Sequence, residues 1–247
     1  MDDNSNIIIP FLSEHFFYWM GFLFPTISVF CGWIIYYGLH HHNSQSLPTI
    51  SRSFIQFPEN RLFAVCMSIE SCILGAIFYI RHKLILKMDK RYSQRKTNDG
   101  RKNTNKMSIP VLNHICDRLA FTVCICLSGL SLVTLEDNRI IHLIFARVFW
   151  TAFLFYYIIS DLAAIRAQFS VGFISRILPY FTAIYIILNA FLIIRCKPEE
   201  LQKAKNNFAI SQYVIAFLLF FKILLIGYDN PPHDLVSSSS KMKVKLA

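Results

Sequence analysis

The sequence predicts an all-α integral membrane protein, a bundle of six transmembrane helices. Six apolar stretches are each long enough to cross a bilayer, whose hydrocarbon core of about 30 Å takes about 20 helical residues. Hydrophobic residues make up 54% of the chain and the mean hydropathy is +0.43, well above the range of soluble domains. The stretches are continuous apolar runs rather than alternating strands, so the sequence favours helices over a β-barrel.

The predicted spans occupy most of the chain. In order, they are Phe16–Leu39, Leu62–Ile80, Val111–Leu135, Ile140–Ile159, Ile177–Ile194 and Phe208–Tyr228. Acidic Asp2, Asp3 and Glu14 precede the first span, which lacks a small-residue cleavage site and is therefore predicted to be a retained helix. The chain divides into an N-terminus (1–15), a transmembrane domain (16–228) and a tail (229–247).

Lysine and arginine counts predict the orientation, because basic loops resist translocation. Ten basic residues lie between spans two and three, and fifteen lie on that side in all, against seven on the other. We therefore expect both termini and the basic segment to face the cytosol. From Lys87 to Lys106 this segment lacks hydrophobic periodicity and is predicted to be disordered. Its basic residues either serve only as a topology signal or attract anionic lipid, at about 1 kcal/mol per basic side chain near the surface. Nucleic-acid binding is not expected, because no folded nucleic-acid-binding motif accompanies the charge.

The cysteines and histidines indicate no metal site and no cofactor. The seven cysteines include no Cys-x-x-Cys motif and no pair outside the predicted membrane region. The run from His40 to His42 places three imidazoles on one loop, where adjacent side chains point in different directions. A single ion would need a further ligand from elsewhere in the chain.

Inserting an ionisable residue into the membrane costs about 2.5–3.5 kcal/mol for a charge at the bilayer centre. Such residues are therefore expected to face an oppositely charged partner or a water-filled cavity. They are Glu70, His114, Asp117, Arg118, Arg147 and Lys222. Their depths predict a Glu70–Arg147 pair and a pair of Asp117 with Lys222 or Arg118, with Asn189 joining either network. Two interpretations remain open: ion pairs that fix helix packing, or a lipid-headgroup pocket formed by Glu70, Arg147 and Asp117.

Motifs of soluble enzymes, such as a phosphate-binding loop or a Gly-x-Ser-x-Gly elbow, are not found in the sequence. A membrane-bound acyltransferase is expected to place a histidine at the membrane boundary, where it deprotonates an acceptor hydroxyl. His142 begins the fourth span beside Glu136 and Asp137. It is the candidate catalytic residue.

The loop after the first span carries a more specific pattern. Pro48 and Ser51 stand in a Pro-x-Ile-Ser segment, and Pro58 and Glu59 follow directly before the second span. This spacing and the six-span layout resemble the Frag/DRAM/Sfk family of six-helix membrane proteins. Many members continue after the serine with Asp-x-Gly, whereas Arg52-Ser53-Phe54 stands here, which argues against the DRAM branch.

Further short matches are similar to the branch of post-GPI-attachment-to-proteins factor two. They are Pro25, Cys31, Trp33 and His40 around the first span, Leu112-Asn113 with Asp117, Glu136-Asp137 before His142, and Gly227-Tyr228-Asp229 after the last span. The resemblance implies remodelling of the lipid of glycosylphosphatidylinositol (GPI) anchors, in which the lyso-form regains an acyl chain, with membrane lipids and GPI-anchored proteins as partners. Whether the chain transfers the acyl group or assists another enzyme stays open. The alternative is a non-enzymatic membrane regulator of the DRAM or lipid-asymmetry type.

The tail predicts a location. Lys243 and Lys245 form a Lys-x-Lys-x-x pattern that resembles the dilysine retrieval signal, an address read by cytosolic coat proteins. We therefore expect a protein of the endoplasmic reticulum membrane that cycles to the Golgi. The alternative is a basic tail that serves only as a topology anchor.

Overall fold

A computed structural model describes residues 11–39, 47–98, 109–194 and 201–229 of the chain. Its helices are α1 (Phe11–Gly38), α2 (Glu59–Asn98), α3 (Ile109–Leu132), α4 (Arg139–Arg166), α5 (Phe173–Ile194) and α6 (Leu201–Gly227). All six are long and apolar enough to cross a membrane. The predicted fold class, an all-α bundle of six transmembrane helices, is confirmed.

The largest departure from the predicted boundaries is in α2, which continues to Asn98 instead of ending near Ile80. The prediction of a disordered basic segment is therefore wrong for its first part, and residues 99–108 lie outside the described part of the chain. Lysine, arginine and glutamine are good helix formers. A helix nucleated in the membrane also extends without a new nucleation cost.

Helices that follow one another along the chain are neighbours in space, and α1 also packs against α6. The six helices therefore form a closed ring of contacts. Alternate connections lie at opposite ends of the bundle. One end, which we call the Ser51 end, carries the 47–58 and 133–138 loops, and the other, the Asp229 end, carries the 167–172 loop and the end of α6.

Aromatic side chains fill the centre of the ring. Phe153 and Tyr157 of α4 are fully buried, and Phe153 makes edge contacts with Phe78 of α2 and Phe220 of α6. The Tyr157 hydroxyl donates to the Leu219 carbonyl at 2.6 Å, so even this buried phenol is satisfied. The result is that α4 is held against both α2 and α6.

The outer surface of the bundle is as apolar as its interior. Large side chains such as Phe30, Phe121, Ile187 and Leu192 are more than 45% exposed. In water, so much exposed apolar surface would cause aggregation, whereas in a bilayer it faces lipid chains of the same polarity. The exposed faces are thus consistent with a bundle that is solvated by lipid.

Candidate functional site

The loop between α1 and α2 (residues 47–58), which we call the Ser51 loop, forms a compact turn over the Ser51 end. The backbone N–H groups of Arg52 and Ser53 both donate to the Thr49 carbonyl at 3.0 Å. The Ser53 hydroxyl donates to the Ile50 carbonyl at 2.9 Å. Because these polar groups are satisfied within the turn, the backbone on both sides of Ser51 has a defined conformation.

Phe54 anchors this turn in the bundle. Its side chain is buried and stacks on Phe63 of α2, with ring centroids 4.4 Å apart. On the other side it lies directly on the backbone of α1, because a Cβ at Gly32 would come within 1.9 Å of the Phe54 ring. Only a glycine at position 32 permits this approach without a shift of the loop.

Tyr213 of α6 connects the loop to two helices. Its hydroxyl accepts a hydrogen bond from Nε1 of Trp33 on α1 at 2.8 Å and donates to the Pro48 carbonyl at 3.1 Å. Asn206, also on α6, accepts from the Leu47 N–H at 2.9 Å. The first half of the loop is therefore fixed to both α1 and α6.

Ser51 contacts His142, the first buried residue of α4. The Ser51 Oγ lies 2.9 Å from His142 Nε2, and His142 Nδ1 lies 2.6 Å from the Val133 carbonyl. A carbonyl oxygen only accepts, so the ring proton of the neutral imidazole is on Nδ1. The Nε2 lone pair then faces Ser51, whose hydroxyl donates to it. The structure thus joins two residues that the sequence singled out for different reasons.

The loop before α4 holds the histidine in place without the acidic pair expected beside it. Asn138 caps α4, and its side-chain oxygen accepts from the Ile141 N–H at 3.1 Å. Asp137 accepts from the N–H and the hydroxyl of Thr134, at 2.9 and 2.8 Å, which lowers the pKa of its carboxyl group. Glu136 is exposed. The Val133 carbonyl, and not a carboxylate, orients the His142 ring.

An apolar groove between α1 and α6 ends at the same loop. Its volume is about 340 Å³, and its walls include Pro25, Phe30, Trp33, Ile50, Tyr213 and Phe217. Phe30 and Phe217 are themselves exposed, so the groove opens on the lateral surface of the bundle. From Pro25 to Trp33 it follows α1 for roughly 12 Å, at 1.5 Å per helical residue. Ile50, the residue directly before Ser51, is also part of the lining.

The predicted Glu70–Arg147 pair is wrong. Glu70 is fully buried in the bundle, and within the described part of the chain neither of its carboxylate oxygens has a hydrogen-bond partner. Arg147 is exposed on the lateral face of α4. The two side chains share a predicted depth, but they point in different directions, because depth does not determine how a helix is rotated about its axis.

The predicted partners of Asp117 and Lys222 are also wrong. Asp117 is half-exposed, and its Oδ1 lies 2.8 Å from Nδ1 of His82 without the alignment of a hydrogen bond. Arg118 is exposed. Lys222 instead donates to both carboxylate oxygens of Asp161, at 2.9 and 2.7 Å. These charges lie nearer the Asp229 end, far along the helices from the Ser51 loop.

A second buried pair at that end was not predicted. Arg81 donates to Asp229 at 2.8 Å, and Asp229 also accepts from the Gly172 N–H at 3.3 Å. The available signal was their matched depth, since Arg81 directly follows the second predicted span and Asp229 directly follows the sixth. Asn189 joins neither network; its amide oxygen accepts from the Ser211 hydroxyl, which ties α5 to α6.

The residues of the family pattern lie in and directly after the loop. The Pro48 carbonyl is bound by Tyr213, and Ser51 by His142. Pro58 follows a cis peptide bond, and Glu59 is fully buried at the N-terminus of α2, where the helix dipole favours a carboxylate. Tyr213 was missed because a tyrosine near the end of a transmembrane helix is too common to stand out. The histidines at 40–42 and Lys243 and Lys245 lie outside the described residues.

Comparison with known proteins identifies a family for most of the chain. The family model described as the Frag1/DRAM/Sfk1/Cwh43P N-terminal domain matches residues 14–232. No curated protein and no solved structure matches the chain. The matched region contains α2 to α6 in full, α1 except for its first three residues, the Ser51 loop and His142. The chain therefore belongs to the Frag1/DRAM/Sfk1 family of membrane proteins.

Proposed function

We propose that this protein supports remodelling of the lipid of GPI anchors, in which a lyso-anchor regains an acyl chain. The observation that carries the proposal is the apolar groove, whose lining includes Ile50, the residue directly before Ser51 in the Ser51–His142 contact. A reacylation site needs an apolar channel for the fatty chain next to a polar group that handles a hydroxyl. Both features meet at the Ser51 loop.

The groove suits a fatty acyl chain. Its volume of about 340 Å³ lies within the roughly 300–1,000 Å³ of ligand pockets, and its lining is almost entirely apolar. Because it opens sideways between α1 and α6, a chain can enter from the surrounding lipid without crossing water. The ester end of such a chain would then lie at the membrane boundary near Ile50.

His142 has the tautomer required of a general base. Its Nε2 has no proton while Nδ1 donates to the Val133 carbonyl, so it can take a proton from a hydroxyl. A lyso-anchor carries a free hydroxyl at the position of the missing chain. Two exposed arginines near the site, Arg52 and Arg61, supply positive charge for the phosphate of the anchor headgroup.

The location follows from the same proposal. The charge counts favour a lumenal position for the Ser51 end, the side on which a protein-linked anchor would be remodelled. Lys243 and Lys245 indicate retrieval to the endoplasmic reticulum. Changing both lysines to serine is expected to move the protein outward along the secretory route, and an unchanged distribution would limit these lysines to a topology role.

The test is the lipid composition of GPI anchors in cells that lack the protein. We expect lyso-anchors to accumulate and wild-type protein to restore the acylated form, whereas His142→Gln should not. Ala216→Phe, which fills the groove, should also fail, and Ala190→Phe on the exposed face of α5 is its matched control. Unchanged anchor chains with normal surface levels in the deletion cells would leave the non-enzymatic regulator as the explanation.

A further inference from the structure

We propose that Ser51 is the nucleophile of the acyl transfer and carries the acyl chain as an ester, with His142 as its general base. The inference rests on the proposed function and names the residue that would make this protein the transferase itself. It commits to a two-step reaction through a covalent intermediate. The alternatives are a one-step transfer or a loop contact with no chemical role.

The geometry is that of an activated serine. The Ser51 Oγ lies 2.9 Å from His142 Nε2, within the distance over which a base takes the proton of a nucleophile. A third group, the Val133 carbonyl, fixes the ring through Nδ1 at 2.6 Å. In serine hydrolases a carboxylate has this orienting role. Here a backbone carbonyl sets the same tautomer without adding a charge.

The burial of the two residues supports the same roles. His142 is only 4% exposed, so its ring is shielded from water, whereas Ser51 is half-buried and can be reached from outside the bundle. Shielding of the base favours transfer to a lipid hydroxyl over hydrolysis of the intermediate. Ser51 also follows Ile50, which lines the end of the groove, so a chain in the groove would bring its carbonyl carbon to the loop.

The reaction balances with an acyl ester or acyl thioester as donor. The Ser51 oxygen attacks the donor carbonyl carbon and its proton moves to His142 Nε2; the bond to the leaving group then breaks, and the departing alcohol or thiol takes that proton. In the second step the acceptor hydroxyl gives its proton to Nε2 and forms the new ester bond. The bond from Ser51 to the acyl group breaks, and the Ser51 oxygen takes the proton back. No oxidant or reductant is needed.

The experiment is covalent labelling of the purified full-length protein in liposomes by a long-chain alkyl fluorophosphonate, with the modified residue identified by peptide mass spectrometry. We expect labelling at Ser51, none in Ser51→Ala, and a rate lowered at least about 100-fold in His142→Gln, the lower range for a lost general base. Ser131→Ala is the matched control, because Ser131 is a buried serine whose hydroxyl donates to the Ser128 carbonyl and contacts no histidine among the described residues. It should be labelled like wild type.

Two donors distinguish the source of the acyl group. Liposomes that contain an acyl-labelled phospholipid and liposomes supplied with a labelled acyl thioester are incubated with the protein, and the Ser51 peptide is analysed for the bound acyl group. Label from either donor supports the intermediate and identifies the donor class. If neither donor gives an acyl-Ser51 peptide and the fluorophosphonate also leaves Ser51 unmodified, while a reference serine esterase in the same liposomes reacts, the proposal is overturned.

A second variant covers the case in which Ser51→Ala fails to fold. Ser51→Cys keeps a nucleophile at this position, and its thiol should be acylated by the labelled thioester faster than in Ser51→Cys combined with His142→Gln. Equal rates would overturn the role of His142. The two proposals also fail separately: unchanged anchors in deletion cells count against the GPI function, whereas an inert Ser51 with altered anchors counts against the covalent step.

Discussion

Lys222 of α6 donates to both carboxylate oxygens of Asp161 of α4, and the lysine is 1% exposed. The carbonyl and hydroxyl oxygens of Ser175 lie 2.7 and 2.6 Å from the same ammonium group, so its three N–H donors are shared among four acceptors. The contact therefore joins α4, the first turn of α5 and α6 at one depth. It is a fixed point of the bundle nearer the Asp229 end, away from the loop that carries Ser51.

Removal of one member of this pair should destabilise the bundle strongly. We expect Lys222→Met or Asp161→Asn to cost about 3–5 kcal/mol, because each leaves a buried polar group unpaired. The double change Lys222→Met with Asp161→Leu should recover part of the loss. Thermal unfolding in detergent can be followed with a thiol-reactive dye, since Cys116 and Cys126 are buried free thiols.

The matched control is Lys87→Met on the exposed side of α2, which should change the unfolding temperature little. If Lys222→Met and Lys87→Met had the same effect, the Lys222–Asp161 contact would not stabilise the bundle.

Glu70 and Arg147 should behave as independent residues. Glu70 is buried and has no hydrogen-bond partner among the residues that the structure describes, and Arg147 is exposed on the outer face of α4. The effects of Glu70→Gln and Arg147→Gln on unfolding should therefore add to within about 0.5 kcal/mol in the double variant. A coupling energy well above that value would mean that the two side chains do meet.

The sequence correctly predicted the six helices and singled out both residues of the Ser51–His142 contact. It did not predict which side chains meet between helices. Ser51 and His142 were each identified, one from the loop pattern and one from its place at the membrane boundary. Their contact depends on how two loops meet. The predictions of charge pairs were wrong for a related reason. Exposed Phe121 and buried Phe153 are equally apolar, so the hydrophobic pattern does not show which face of a membrane helix points into the bundle. Depth alone allowed Glu70 to be matched with the wrong arginine.

The close approach of Phe54 to Gly32 can be tested with glycine substitutions. Gly32→Ala should destabilise the Ser51 loop by about 1–3 kcal/mol, the usual cost of overpacking, since the new methyl group overlaps the Phe54 ring. Gly75→Ala is the control, because its Cβ would lie 3.8 Å from Cys124 Sγ, an ordinary contact. That change should be neutral or slightly stabilising, because alanine is the better helix former.

Gly32→Ala should also lower reacylation in complemented cells more than Gly75→Ala does, because a displaced Phe54 moves the backbone that carries Ser51. Equal unfolding temperatures for the two variants would show that Phe54 does not rest on α1.

The orientation of the bundle decides whether the Ser51 loop can meet an anchor at all. Glu136 and Ser170 are exposed and lie in loops at opposite ends of the helices. Single cysteines are introduced at these two positions in a cysteine-depleted background. In sealed microsomes with the cytosolic face outward, a membrane-impermeant maleimide should label Ser170→Cys. Glu136→Cys should react only after detergent opens the vesicles, because the basic residues concentrate on the Ser170 side. Labelling of Glu136→Cys in intact vesicles would place Ser51 and His142 in the cytosol. Reacylation of lumenal GPI anchors at this site would then be impossible, whatever the chemistry of the pair.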